Sequence, residues 1–290
     1  MPCILFNASF DEGAGIMVGG ELPAPPGDLS PGSGNVSIYN NLIQGNLAND
    51  DGGGVRLLQP TTYEIKIYNN MIVNNVSTDL GGGIALDDAS NVIIFNNTIA
   101  KNISTATAED SDRSPHGAGM VGEVHSAAFR KVLPPGAPDF SDPVLFNNIF
   151  WDNRAYYFDL NTRQLADAGA VDMEVFGATG LFSPHYCSLT EVYPGGGENL
   201  AVNPAFVKEY ATVVKAVTFA AQPDFKSVVI VSVAPELEGD YHITGASPVI
   251  GRGTQSYAGH SAPEDDFDGE KRGPNIDIGA DQYQGNALPV

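Results

Sequence analysis

The sequence predicts an all-β solenoid, a parallel β-helix of about six to eight coils, on three observations. An Asn-Asn pair recurs, and its second Asn falls at positions 41, 70, 97 and 148, so the steps are 29, 27 and 51 residues. A glycine-rich unit lies between the pairs, at 52–54, 81–83 and 117–119. Apolar residues recur two apart, as in Ile65 and Ile67, which is the period of a strand. Short strands that repeat in this way indicate stacked coils.

The repeated asparagines predict two buried ladders, because Asn is depleted in strands and needs a separate reason to recur there. A closing Asn follows each pair by five residues, which gives one ladder at 41, 70, 97 and 148 and another at 46, 75, 102 and 153. Stacked amides hydrogen-bond to the copies above and below them, and Asn tolerates the left-handed backbone of a bend. We therefore expect both sets at bends, with their side chains pointing inward.

The repeat pattern divides the 290 residues into four parts of a single domain. Residues 1–34 hold a weak first coil and a Pro/Gly-rich loop, and residues 35–204 hold the repeat coils, including a strand over 170–175. Residues 205–235 are predicted to form a helical or hairpin insertion that lies on the rod, and residues 236–290 form a closing segment. Two polar insertions, 103–116 and 126–142, flank the coil at 117–125, and loops of that length are often functional.

The composition excludes some classes of partner. Fourteen basic residues against 35 acidic residues give a formal net charge of −21. A nucleic-acid-binding surface needs positive charge, so no nucleic-acid partner is expected; the alternative meaning of the charge is a solvated surface that maintains solubility. No apolar stretch reaches the length of a membrane span. Cys3 and Cys187 lie far apart in a rod-like fold, so no disulfide framework is predicted.

The N-terminal end of the predicted rod needs a cover. The first coil begins at Cys3, with no capping segment and no signal-peptide pattern before it. An uncapped strand edge is an aggregation hazard. We therefore expect either a fragment of a longer secreted protein or a homo-oligomer in which another subunit covers this end.

The strand after each glycine unit alternates between inward and outward side chains. The residues expected to point outward are Arg56, Asp87, Glu123 with His125, and Asp172 with Glu174. Adjacent strands lie about 4.8 Å apart, so these residues are predicted to form an acidic column. Carboxylates at such a spacing repel one another and destabilise the fold unless they bind a cation, share a proton or face an arginine. The alternative is an outward strand face that is simply polar.

The closing segment carries a family resemblance. Its motifs are Ala246-Ser-Pro-Val-Ile, Asp266-x-Asp-Gly-x-x-Arg272 and Asp277-Ile-Gly-Ala280, and Asn203-Pro-Ala-Phe206 precedes them. Together with the Asn-Asn-x-Ile and Gly-Gly-Gly-Ile repeats, they resemble the secreted bacterial pectate-lyase-like right-handed β-helix proteins, including those with a choice-of-anchor domain. The resemblance covers most of residues 35–283, and the 207–235 insertion departs from it. That group mixes polysaccharide lyases, hydrolases, esterases and proteins with no known reaction.

The resemblance implies an extracellular or cell-surface protein that acts on a polysaccharide or cell-surface glycan. In pectate-lyase-like enzymes such a face carries carboxylates that hold Ca²⁺ and a Lys or Arg that abstracts a proton. The oxygen ligands would then be Asp87, Glu123, Asp172 and Glu174. The base would be Arg56, Arg130 or Lys131, with His125 as a further choice. In the other reading, two of the carboxylates are the acid and base of a glycoside hydrolase.

Residues around the column are candidate substrate contacts. They are Arg56 and Asp87 on the column, Arg113 and His116 in the insertion before it, and Trp151 as a platform for sugar stacking, with a core or rim role as the alternative for Trp151. Two other function classes stay open. One is a non-catalytic glycan-binding adhesin or structural surface rod. The other is a carboxylic-ester hydrolase, although the chain has no Gly-x-Ser-x-Gly elbow.

Asp266 and Asp268 are candidate calcium ligands in the closing segment. The run from Glu264 through both aspartates to Gly269 resembles the start of an oxygen-rich Ca²⁺ loop, but Asn275 stands where its twelfth position expects Glu. The alternative is that both aspartates pair with Arg272 and close the cap.

Overall fold

The structure is a computed structural model that describes residues 2–20, 27–231 and 239–285. Three stretches that carry predictions lie outside these residues. They are 21–26 in the predicted N-terminal loop, 232–238 where the predicted insertion meets the closing segment, and 286–290 at the end of the closing segment. The described chain is nearly all β-structure, with one short helix. None of its helices is long and apolar enough to cross a membrane.

The first fourteen strands follow the sequence repeat. They are β1 (Cys3–Leu5), β2 (Ala8–Ser9), β3 (Ile16–Gly19), β4 (Val36–Tyr39), β5 (Leu42–Gln44), β6 (Leu47–Ala48), β7 (Val55–Thr61), β8 (Ile65–Tyr68), β9 (Met71–Val73), β10 (Val76–Ser77), β11 (Ile84–Ala89), β12 (Val92–Phe95), β13 (Thr98–Ala100) and β14 (Ile103–Ser104).

The rest of the chain contains the helix and the remaining strands. They are β15 (Met120–Glu123), α1 (Ala127–Arg130), β16 (Val144–Phe146), β17 (Ile149–Trp151), β18 (Arg154–Asp159), β19 (Gln164–Ala170), β20 (Met173–Phe176), β21 (Pro184–His185), β22 (Ser188–Leu189), β23 (Leu200–Ala201), β24 (Phe206–Lys208), β25 (Val214–Phe219), β26 (Gln222–Ile230), β27 (Asp240–Ile243), β28 (Ser256–Tyr257) and β29 (His260–Ser261).

Four sheets take one strand from each successive repeat. Sheet A is β1-β5-β9-β13-β17-β22-β23, sheet B is β19-β18-β14-β10-β6-β2, sheet C is β20-β15-β11-β7-β3, and sheet D is β21-β16-β12-β8-β4. Neighbouring strands run parallel throughout, except that β18 and β19 are antiparallel. The strands pair in the register of the sequence repeat. Val36 pairs with Ile65, and Ile65 pairs with Val92. The predicted stacking of parallel strands is confirmed.

The core consists of the alternate apolar residues of these strands. Ile43, Leu57, Ile67, Ile84 and Leu86 are fully buried in one cluster that runs through the repeats. Each such side chain contributes about 1.5–3 kcal/mol when it is removed from water.

The glycine unit recurs because the chain passes close to its neighbour there. A Cβ on Gly83 would lie 2.5 Å from the carbonyl oxygen of Gly119 and 3.0 Å from Asn102 Nδ2. Gly54 is in the same relation to the carbonyl oxygen of Gly83, at 2.6 Å. Any larger residue would push two repeats apart.

The two predicted asparagine ladders are present, and all of their members except the half-buried Asn41 are buried. Nδ2 of Asn70 donates to Oδ1 of Asn97 at 3.0 Å, and Nδ2 of Asn97 donates to Oδ1 of Asn148 at 3.1 Å. The second ladder runs in the same way through Asn46, Asn75, Asn102 and Asn153. The left-handed backbone belongs to the first Asn of each pair, with φ of 56°, 52°, 52° and 56° at positions 40, 69, 96 and 147.

The insertion is a hairpin. Strands β25 and β26 pair antiparallel, and β24 pairs with β27. The helical alternative for this segment is wrong within the described residues. The hairpin packs over sheet B, where Val228 contacts a cluster with Val76 and Ile103. The segment before it is anchored to sheet A, because Nδ2 of Asn74 donates to the carbonyl oxygen of Tyr210 at 3.0 Å.

The closing segment packs on the outer side of sheet A. Val249 and Ile278, from two of its motifs, are fully buried against Ile149. The carboxylate of Asp277 accepts hydrogen bonds from the backbone N–H groups of Gly251 and Tyr283, at 2.6 and 2.8 Å. These bonds explain why the motif places an aspartate there.

Neither Cys3 nor Cys187 forms a disulfide.

Candidate functional site

Three residues of the predicted acidic column meet on the outward face of sheet C. Strand β11 pairs with β15 so that Leu86 faces Gly122, which places Asp87 and Glu123 side by side on neighbouring strands. Arg56 lies on β7, opposite Ala85. Its guanidinium reaches across β11 to β15, where Nη1 donates to Oε1 of Glu123. Arg56, Asp87 and Glu123 therefore share one face, as predicted.

Arg56 is the centre of this cluster. Its side chain is only 3% exposed, and it forms ion pairs with Glu12, Asp51 and Glu123, with Asp51 Oδ2 3.3 Å from Nη2. Burial alone would lower the pKa of Arg56, but the charges of its three carboxylate partners outweigh burial and raise the pKa. Glu12 and Asp51 were not predicted, because both lie in turns outside the strand alternation that placed the column.

The acids beside Arg56 do not share one protonation state. Burial, together with the negative charges of Glu123 and Asp88, raises the pKa of Asp87 to about 7. Burial and the charges of Asp110, Glu12 and Asp79 raise the pKa of Asp50 to about 7 as well. Carboxyl oxygens of Asp50, Asp79 and Asp110 all lie within 4.8 Å of one another. The face therefore carries two carboxyl groups with a pKa near neutral pH, Asp50 and Asp87, beside the three that are ion-paired with Arg56.

Glu174 and His116 form a second, separate cluster. Glu174 is in register with Val121, Ala85 and Arg56, so two small or apolar residues separate it from the arginine. Its carboxylate lies 3.1 Å from Nδ1 of His116, and Nε2 of His116 lies 3.1 Å from Oδ1 of Asp112. The hydrogen bond to Glu174 raises the pKa of His116 to about 9, against the opposite effect of burial.

The predicted outward position of His125 is wrong. Strand β15 ends at Glu123. After it, the N–H of His125 donates to the carbonyl oxygen of Asp139 at 2.8 Å. The imidazole is 2% exposed and lies edge-on against Phe129 of α1. Its Nδ1 is 3.4 Å from Oδ1 of Asp88. His125 therefore lies beneath the helix rather than beside Glu123.

The predicted outward position of Asp172 is also wrong. The strand expected over 170–175 is broken, because β19 ends at Ala170 and β20 begins at Met173. Asp172 lies in the break and ends the second asparagine ladder, where Asn153 Nδ2 donates to its Oδ1 at 2.9 Å. The N–H of Thr190 donates to its Oδ2 at 2.7 Å. Burial raises the pKa of Asp172.

The structure does not bring the two predicted loop arginines into the cluster. Arg113 folds back on its own insertion, where its guanidinium donates to the carbonyl oxygens of Ala108 and Glu109 at 2.6 and 3.2 Å. Arg130 is the last residue of α1 and is exposed, as is Lys131 after it.

Trp151 lies on a different face from the acidic column. It belongs to β17 of sheet A, where it packs against the same buried apolar cluster as Phe206. Its Nε1 donates to Oε2 of Glu209 at 3.1 Å. These contacts support the rim role for Trp151 and do not place it beside the acidic column.

Asp266 and Asp268 do not face the same centre. Asp266 is fully buried, and its carboxylate accepts hydrogen bonds from the N–H groups of Asp268, Glu270 and Gln282 at 2.9–3.1 Å. Asp268 points to His242 instead, with Oδ2 2.8 Å from Nε2. The predicted pairing of both aspartates with Arg272 is absent from the described contacts.

Arg272 instead donates to neutral oxygens. Its Nη2 bonds to Oδ1 of Asn69 at 2.9 Å and to the carbonyl oxygens of Gly279 and Ala280 at 3.1 and 2.7 Å. Arg272 therefore ties the closing segment to the first Asn of a repeat.

An aromatic stack on sheet D was not predicted. Tyr39, Tyr68, Phe95 and Phe146 stack with ring centroids 5.0, 5.0 and 5.1 Å apart. Each stands directly before an Asn-Asn pair, so the signal was present in the sequence. Tyr39, Tyr68 and Phe95 of this stack line a cleft of about 500 Å³, whose other lining residues include Lys66, His260, Glu264 and Asp265.

Comparison of the chain with family models, with curated proteins and with solved structures found no match.

Proposed function

We propose that this protein is an extracellular carbohydrate-active protein that hydrolyses a glycosidic bond on the outward face of sheet C. The observation that carries the proposal is a pair of neighbouring carboxyl groups in different electrostatic settings. Glu123 is ion-paired with Arg56, whereas burial raises the pKa of the adjacent Asp87 to about 7. Two carboxyl groups whose environments differ in this way supply the acid and the base of glycoside hydrolysis.

Each carboxyl group has one role in the proposed reaction. Asp87 holds a proton near neutral pH, so it is the general acid that protonates the oxygen of the leaving sugar. Glu123 is the carboxylate that activates water or attacks the anomeric carbon. Arg56 is a positioning residue, because its guanidinium holds Glu123 through a salt bridge.

Hydrolysis fits the contacts better than the lyase alternative. A lyase needs an uncharged base, and the three carboxylates around Arg56 favour its charged form. A uronate would also meet an acidic face, since Glu12, Asp50, Asp51 and Asp87 lie near Arg56. Only a cation such as Ca²⁺ would allow a uronate to bind there.

We infer that the four parallel sheets close into a right-handed β-helix. Each repeat contributes one strand to sheets D, A, B and C in turn, and the next repeat returns to sheet D. Connections between parallel strands of one sheet are right-handed almost without exception. Such a rod offers a long outward face to an extended polymer, and we place it outside the cell, where polysaccharides are found.

The test is a time course on plant, algal and bacterial polysaccharides, with Ca²⁺ and with a chelator. The assay follows new reducing ends together with the ultraviolet absorbance of unsaturated uronates. We expect reducing ends without absorbance and no effect of the chelator. Absorbance that depends on Ca²⁺ would replace hydrolysis by the lyase reaction. A Glu123→Gln variant with unchanged turnover would remove the proposed site.

The aromatic cleft favours a second candidate function, which is glycan binding without turnover. Tyr39 ends the stack within the described residues, and it is 50% exposed. A flat aromatic surface beside charged side chains suits a sugar ring, which presents apolar C–H groups on its face and hydroxyls at its edge. Lys66 and Glu264 supply such charges at the rim of the cleft.

Affinity electrophoresis against the same polysaccharides tests this second candidate. Retardation that Tyr39→Ala abolishes, with no new reducing ends, would favour binding alone. Tyr157→Ala is the matched control, because Tyr157 is an exposed tyrosine on β18 that does not line the cleft. Equal retardation of the wild type and Tyr39→Ala would exclude the cleft.

A further inference from the structure

His242 lies among carboxylates where β27 meets the closing segment. Its Nδ1 is 2.5 Å from Oδ1 of Asp240, and its Nε2 is 2.8 Å from Oδ2 of Asp268. The closing-segment motif predicted Asp268 as a calcium ligand, whereas no motif indicated a role for His242. The ring is in contact with a carboxylate through each of its two nitrogens, which fixes its orientation.

Asp281 completes a set of three donor groups. One ligand atom from each of His242, Asp268 and Asp281 lies within 4.8 Å of the other two. Asp281 is 7% exposed, and its Oδ2 accepts the N–H of Ile243 at 2.9 Å, so its position is fixed by the backbone of β27. The side chain of Asp268 is more exposed, at 35%.

We propose that Nε2 of His242 and the carboxylates of Asp268 and Asp281 bind a divalent transition-metal ion of the zinc class. Metal-binding histidines usually donate their other ring N–H to a carboxylate, which fixes the tautomer. Asp240 stands in that place on Nδ1. This contact is independent of the three ligands, and it leaves Nε2 directed at Asp268.

The donor set selects the kind of metal. Calcium and magnesium take oxygen ligands, whereas imidazole suits zinc, copper, iron and nickel. Zinc bonds to histidine nitrogen and carboxylate oxygen at about 2.0–2.2 Å, so ligand atoms around it lie roughly 3.3 Å apart. Asp268 must therefore retreat slightly from its 2.8 Å contact with His242, which its exposed position allows. A fourth position is left for water.

Such an ion would tie three parts of the chain together. His242 comes from β27 and Asp268 from the Asp266-x-Asp-Gly motif, and Asp281 directly follows the Asp277-Ile-Gly-Ala280 motif. These parts cover the outer side of sheet A. The metal is thus expected to stabilise the closing segment.

The first test is titration of the full chain with Co²⁺, followed by visible d–d absorption, and with Zn²⁺, followed by melting temperature. We expect one equivalent to bind and the melting temperature to rise. His242→Gln should abolish the absorption. Asp240→Asn, which removes only the carboxylate on Nδ1, should weaken binding by about 10–100-fold. His260→Gln and Glu264→Gln are matched controls outside the set, and both should bind as the wild type does.

X-ray absorption of the wild type with one equivalent of Zn²⁺ decides the question without any variant. One imidazole per zinc is expected. No imidazole, two imidazoles, the absence of d–d bands, or equal binding by wild type and His242→Gln would each overturn the proposal.

Discussion

Arg56 compensates three carboxylates at a position that is almost closed to water. Glu12, Asp51 and Glu123 keep 20%, 9% and 19% of their side chains exposed, whereas Arg56 keeps 3%. Removing the arginine would leave these acids close together with no opposing charge. The arginine is therefore important for folding as well as for holding Glu123.

We predict that Arg56→Met lowers the free energy of unfolding by about 3 kcal/mol. The substitution removes the positive partner of a buried ion cluster and leaves its three carboxylates unpaired. Urea unfolding measures the change. Arg130→Met is the matched control, since Arg130 is exposed, and its effect should stay within about 0.5 kcal/mol. Equal effects of the two substitutions would contradict the structural importance of the cluster.

Single residues could be predicted only where the two-residue strand period holds. Arg56, Asp87 and Glu123 lie on paired strands, so alternation placed them on one face. His125 and Asp172 lie past the end of β15 and before the start of β20. Alternation does not extend through a bend, and both residues are therefore turned away from the column. Glu12 and Asp51 are in turns, where the repeat does not predict which way a side chain points.

At the scale of the element, the asparagine ladders hold neighbouring repeats at bends. Asn97 accepts from the N–H and Nδ2 of Asn70, and it donates to the carbonyl oxygen of Ile67 and to Asn148. Each amide therefore bonds to the repeats on both sides. The bonds are fully buried, so water cannot replace them.

We predict that Asn97→Ala costs about 2–4 kcal/mol, because it leaves several buried donors and acceptors without partners. Asn41→Ala at the half-buried end of the same ladder should cost about 1 kcal/mol or less, since fewer groups lose a partner there. Chemical denaturation of both variants gives the comparison. A cost for Asn41→Ala equal to that for Asn97→Ala would mean that the ladder does not act through burial.

The repeat itself could be read from the sequence, since ladders, glycine units and strand period all have fixed spacings. The aromatic stack could also have been read, because Tyr39, Tyr68, Phe95 and Phe146 precede the four Asn pairs. The ends of the ladders could not. Cys187 takes the place of an asparagine after Asn148, and Asp172 does so after Asn153. Neither residue carries the repeat's signature.

At the scale of the molecule, long-range contacts decide how the closing segment lies. Arg272 bonds to Asn69 although 203 residues separate them in the chain. Ala280 donates to Oγ1 of Thr98 across 182 residues. The resemblance of its motifs to a known closing segment predicted that this segment closes the fold, but no local pattern could indicate which sheet it covers.

Stability should fall as pH rises from mildly acidic to alkaline values. The pKa of Asp50 and of Asp87 is raised from 3.8 to about 7, and that of His116 is raised from 6.5 to about 9. In each case the folded chain binds protons more tightly than the unfolded chain does. The stabilisation by the two aspartic acids is therefore lost as pH rises from about 4 through 7, and that by His116 as pH rises through 9.

Melting temperatures measured from pH 5.5 to 9.5 check this prediction. The net charge of −21 also destabilises the compact chain at high pH, so the series is repeated at high salt, which screens that repulsion. Asp87→Asn should flatten the part of the curve between pH 5.5 and 7.5. A melting temperature that rises over the whole range would show that these groups are not perturbed as the structure indicates.

The pH profile of kcat/KM for the wild type and Asp87→Asn, on a polysaccharide that the wild type cleaves, decides whether Asp87 and Glu123 are the acid and base of the reaction. If Asp87 is the general acid beside Glu123, activity should fall tenfold per pH unit above about pH 7. Asp87→Asn should lose about 10²–10⁴-fold in kcat with little change in KM. Full activity of Asp87→Asn with an unchanged alkaline limb would contradict the assignment of this face as the catalytic site.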